Sequence, residues 1–93
     1  MSNLNYYMTM ETKKVLDQVR TLKYEFQTLS GKKPNDVVNE FKVKYVNQTL
    51  TDANLVLGED KPYKNFELFN EDELPTNSDV LMILSLYLDR LTK

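Results

Sequence analysis

The chain has 93 residues, of which 41% are hydrophobic and 28% charged, and a formal net charge of −2. That length fits a single globular domain over 1–93, and the composition excludes a disordered, fibrous or membrane-embedded protein. The absence of His and Cys removes disulfides, thiol nucleophiles, His-based triads and the usual structural zinc site.

Residues 1–8 read as a lead-in, with Tyr6 and Tyr7 packing on the domain. They lack the basic and apolar regions of a secretory leader, so the expected compartment is the cytoplasm of the producing or host cell. Met8, Val15, Val19, Leu22, Phe26 and Leu29 then recur at helical spacing. Thr9 is placed to cap a helix over 9–30, Gly31 to end it, and Pro34 to prevent its continuation.

The next segment supports two readings. Asn35 can cap a short helix over 35–40. In residues 41–46 (Phe-Lys-Val-Lys-Tyr-Val) apolar and polar side chains then alternate as far as Tyr45, which reads as a strand over 41–46. If the segment is helical instead, Val43, Val46 and Leu50 fall opposite Val37, Phe41 and Tyr45, which would require burial on both sides. Thr51 can cap a short helix over 52–57, ended by Gly58. Residues 59–62 form a turn, and 65–69 (Asn-Phe-Glu-Leu-Phe) form a strand or a docked extended segment. Thr76 and Asp79 make an approximate capping box for a helix over 77–92. The expected fold is mainly α, with helices 9–30 and 77–92 packed together. The alternative is α+β, with a hairpin pairing 41–46 with 65–69.

The last helix is apolar nearly all round. Val80, Leu84, Tyr87 and Leu91 form one seam, and Met82, Leu86 and in part Ile83 lie off it. Met82, Ile83 and Leu86 are therefore candidate homodimer contacts, because a small domain struggles to cover every side of a helix.

Charge is segregated. Residues 59–79 hold two Lys and seven Asp or Glu, whereas 1–58 hold eight basic and six acidic residues. The acidic stretch follows aromatic residues. That places Phe66, Glu67, Phe69, Glu71, Asp72 and Glu73 on a candidate surface for a protein partner, possible examples being basic nucleic-acid-binding proteins. Lys32, Lys33, Lys42 and Lys44 are the candidate contacts of the alternative, a DNA-binding accessory protein. A pI of about 5.1 and the scarcity of Arg weigh against direct nucleic-acid binding.

Catalysis has little to work with. Gly31 and Gly58 are isolated, so no phosphate loop exists, and residues 71–73 lack the spacing of a calcium loop. No catalytic residues, cofactor or metal are expected. Residues 65–69 resemble the bacterial sliding-clamp-binding pentapeptide, whose pattern is Gln, Leu, Ser or Asp, Leu, Phe. Leu68 and Phe69 match it, while Asn65, Phe66 and Glu67 depart from it. The resemblance implies a linear docking motif; the residues themselves read as core. Ten Lys against two Arg, with nine Asn and six Tyr, is the usage of an AT-rich genome. The function expected is a non-enzymatic protein-binding module, an accessory or inhibitory factor of a phage or mobile element.

Overall fold

The computed structural model describes residues 9–93. The expectations for Tyr6, Tyr7 and Met8 lie outside the described residues. Among the described residues there are three α-helices, α1 (Met10–Lys32), α2 (Glu40–Leu57) and α3 (Asn77–Leu91), with one 3-10 turn at Gly58–Asp60 after α2. The chain is mainly α, and no strand occurs among the described residues.

α1 begins where its cap predicts. The Thr9 side chain accepts from the Thr12 N–H at 3.0 Å, and Val15, Val19, Leu22 and Phe26 turn inward. The helix does not stop at Gly31. It continues to Lys32, and the Lys33 N–H closes on the Leu29 carbonyl at 2.8 Å. Gly31 therefore lies inside the last turn and does not end the helix.

α2 decides between the two readings of 41–46 in favour of the helix and absorbs the separate helix expected over 52–57. The short helix 35–40 does not form, and Asn39, not Asn35, is the cap, its side chain accepting from the Lys42 N–H at 2.8 Å. Residues 41–46 are helical, so the hairpin with 65–69 is absent. The physical reason is the longer pattern: Val43, Val46, Leu50 and Ala53 follow at intervals of three and four and are all fully buried. Five alternating residues, 41–45, fit a strand, but the stripe that continues through Val46, Leu50 and Ala53 fits only a helix, and burial of that longer stripe outweighs local β-propensity. Thr51 is not a cap. It lies inside α2 and its hydroxyl donates to the Asn47 carbonyl at 2.9 Å. Gly58 ends the helix as expected, at φ 56°, a conformation that a side chain would strain.

α3 starts on the capping box of Thr76 and Asp79. Its free N–H groups are met by the α1–α2 connection: the Asn77 N–H bonds to the Asp36 carbonyl at 2.9 Å and the Ser78 N–H to the Pro34 carbonyl at 3.0 Å. The Asn77 side chain adds a bond to the Lys33 carbonyl at 2.9 Å. An isolated antiparallel bridge joins Val37 to Thr76. The connection over 33–39 is thus stapled to the head of α3.

α1 packs most extensively on α3 and also against α2, while α2 and α3 scarcely meet. Residues 61–76 run back between them. Phe66, Phe69 and Leu74 from this stretch pack against the core. Tyr63 stacks on Phe66, and Phe66 meets Phe69 edge-on with ring centres 4.9 Å apart. Asn54 ties the layers, donating to the Glu67 carbonyl at 3.1 Å and accepting from the Tyr87 hydroxyl. Among the described residues, no buried side-chain polar atom lacks a partner.

Candidate functional site

The two apolar faces of α2 have different fates. Val43, Val46 and Leu50 complete the core, whereas Phe41 is 79% exposed and Tyr45 48%. Three helices of a chain this size cannot cover a helix on both sides. Phe41 and Tyr45 lie one turn apart, so their rings form a short ridge along the outside of α2.

A groove flanks the ridge on each side. Towards α1 it is lined by Leu22, Phe26 and Leu29, with Glu25 and Lys42 at its edges. Towards the returning loop it is lined by Leu68, with Lys44 and Glu71 at its edges. Leu68 is 45% exposed and extends the apolar surface beyond α2. The face combines exposed aromatic rings with charged side chains of both signs around them.

Phe66 and Phe69 are half-buried and turned to the core, and both backbone polar groups of Phe69 are held by Asn47. Residues 65–69 are therefore a docked part of the domain and not a free linear motif. Glu67 pairs with Lys61 at 3.5 Å on the far side of Leu68, away from the ridge. Glu71, Asp72 and Glu73 are exposed in a turn where the Asp72 N–H bonds to Asn70 Oδ1 at 2.8 Å. Glu71 joins the Phe41–Tyr45 groove. On α3, Ile83 belongs to the core, whereas Met82 and Leu86 are exposed.

The four lysines make no single basic face. Lys32 and Lys33 close α1, Lys42 edges the groove with Glu25, and Lys44 edges the opposite groove with Glu71. Another exposed apolar spot, Leu55 and Val56 beside Val15, is ringed by Glu11, Lys14, Gln18 and Asp52. Among the described residues, no group of three or more acidic side chains gathers as a metal site would. No helix there is long and apolar enough to cross a membrane.

Further along, beside Asn54, Tyr87 of α3 is fully buried. Burial pushes its phenol above the usual range; the Asn54 hydrogen bond pulls it down and the nearby Glu67 carboxylate pushes it up. The sequence reading missed Phe41 and Tyr45 as site residues. The signal was present in its helical alternative, where both fell opposite the inward stripe.

Comparison of the chain with known protein families, with curated proteins and with solved structures finds no match.

Proposed function

We propose that the chain is a non-enzymatic protein-binding module, acting in the cytoplasm of the producing or host cell through an acidic-aromatic surface. Phe41, Tyr45 and Leu68 are its anchors, and Glu71, Asp72 and Glu73 are its steering charges. The observation that carries this reading is the outer face of α2, where Phe41 stands 79% exposed beside a groove that Glu71 also lines. Monomeric proteins seldom leave such aromatic surface open without a use for it. Buried aromatic anchors supply most of the energy of recognition, and rim charges set its rate and specificity. The exposed acidic turn over 71–73, at the loop side of this face, suits a basic partner such as a nucleic-acid-binding protein. An accessory or inhibitory role in a phage or mobile element rests on the Lys-, Asn- and Tyr-rich composition. Direct DNA binding is not favoured, because carboxylates stand beside Lys42 and Lys44.

The test is parallel capture from the producing cell with wild type, Phe41→Asp and Met82→Asp. The reading expects a protein held by wild type and Met82→Asp and lost from Phe41→Asp. Equal capture by all three, or no specific protein held by wild type, contradicts it.

A further inference from the structure

We propose that residues 59–74 form a strap that opens and closes as one unit while the three helices stay folded and, resting on the reading of the outer face of α2, that its closure completes the loop side of that face. Three features carry this.

The first is how the strap is held. No side chain over 59–74 is buried, and Phe66, Phe69 and Leu74 are its half-buried contacts with the core. Its backbone–backbone bonds close only local turns: the Lys61 N–H to the Gly58 carbonyl at 3.4 Å, the Phe66 N–H to the Tyr63 carbonyl at 3.1 Å and the Glu73 N–H to the Asn70 carbonyl at 3.3 Å. Its hydrogen bonds to the helices all run to two side chains of α2. Asn47 takes both backbone groups of Phe69, and Asn54 donates to the Glu67 carbonyl. The Lys61–Glu67 ion pair lies within the strap itself. Sparse burial and few long-range bonds mark the segments of a protein that open first.

The second is what stays behind. The strap runs between two fixed points. Gly58 closes α2 at φ 56°, and Pro75 is buried, its carbonyl accepting from the Val38 N–H at 2.8 Å. The bonds from Asn77 and Ser78 that staple the head of α3 lie beyond it. α1 packs directly on both α2 and α3. Opening therefore uncovers the seam where α2 and α3 scarcely meet and leaves the other two helix contacts in place. The apolar surface it uncovers makes the open form a minor state and not the resting one.

The third is position. Leu68 walls both grooves on the loop side of α2, one with Phe41, Tyr45 and Glu71 and the other with Asn54 and Leu55. Opening carries Leu68 and Glu71 away from the ridge together. Whatever binds the face through Leu68 selects the closed strap, and its apparent affinity scales with the closed fraction.

Native-state hydrogen exchange of the full chain in low urea tests this and needs no partner. The Phe66 and Phe69 amides are expected to open at least about a hundredfold more often than those of Val19, Val46 and Leu84, one in each helix. Their opening should change little with urea, while that of the three helix amides rises steeply. Asn54→Ala frees the Glu67 carbonyl and leaves Asn47 in place; it should speed the Phe69 amide about threefold or more. A Phe69 amide that matches Leu84 in rate and in urea dependence overturns the proposal, because the segment then opens only with the whole fold. Unchanged Phe69 exchange in Asn54→Ala overturns it too, because the contacts then give way one at a time. Phe41-dependent capture with no separate opening leaves the binding-module reading standing without the strap. Separate opening with no Phe41-dependent capture leaves the strap and removes that reading.

Discussion

The side chain of Asn47 treats the backbone of Phe69 as a strand neighbour would: Nδ2 donates to the Phe69 carbonyl and Oδ1 accepts from the Phe69 N–H, both at 2.9 Å. This one carboxamide satisfies both backbone groups at the point where the returning loop crosses α2. It fixes the register of that loop and so places Leu68 and Glu71 beside the aromatic ridge. Asn47→Ala removes both bonds and should cost about 2 kcal/mol, roughly 1 kcal/mol for each. Urea denaturation should show a lowered midpoint, and the Phe69 amide should exchange faster. An unchanged midpoint with unchanged exchange would show that the loop is held elsewhere.

α3 anchors the core through its seam. Leu84 is fully buried, while Met82, two residues earlier, is 65% exposed. Leu84→Ala should cost roughly 2–5 kcal/mol, and Met82→Ala about 0.5 kcal/mol or less. Thermal melts of the pair measure the difference. Equal melting temperatures would mean that Leu84 is not a core residue.

Tyr87 makes stability depend on alkaline pH. Its folded-state pKa lies above the ordinary value of about 10, chiefly through burial. A group whose pKa is raised by folding contributes stability that is fully present below the unfolded value. That contribution is lost as pH rises past the unfolded value and through the folded one, because the unfolded chain releases the proton more readily. The unfolding free energy should therefore show no loss from this group below about pH 9 and should fall above about pH 10. Tyr87→Phe should cost about 1 kcal/mol at neutral pH through the lost Asn54 bond, and should flatten the alkaline fall. An equally steep fall in Tyr87→Phe would assign it to other groups.

The acidic turn should act on rate and not on folding. Glu71, Asp72 and Glu73 are exposed, and exposed charges contribute little to stability. Changing all three to Lys should shift stability by less than about 1 kcal/mol. It should slow association with a basic partner, and the difference should shrink as salt rises and screens the charges. Wild-type association rates at low salt would remove this turn from the interface. A variant that fails to fold would make the carboxylates structural.

Both long outer helices were legible in the sequence because each carries its own punctuation. Thr9 opens α1, the Thr76–Asp79 box opens α3, and the inward residues repeat at helical spacing over several turns. α2 was not legible from its first turns, where Phe41 to Tyr45 satisfy a strand period as well as a helical one. The decision comes from Leu50 and Ala53 further on, and from Asn39 as cap. The site was half-legible. Residues 71–73 are exposed as the charge pattern suggested, but Phe66 and Phe69 turn inward, because the loop that carries them must close the gap between α2 and α3. Periodicity alone cannot show which of two apolar faces a helix will bury, and that choice brings Phe41 and Tyr45 to the surface.

The division of α2 into a core face and a recognition face is the central claim, and thermal unfolding of Phe41→Ala beside Val43→Ala tests it most directly. Val43 is fully buried and Phe41 is 79% exposed. Val43→Ala should cost roughly 2 kcal/mol, the transfer of two buried carbons, and lower the melting temperature by about 10 °C. Phe41→Ala deletes far more apolar volume yet should leave the melting temperature within about 2 °C of wild type. If Phe41→Ala melts as low as Val43→Ala or lower, Phe41 belongs to the core, and the outer face of α2 is not a recognition surface.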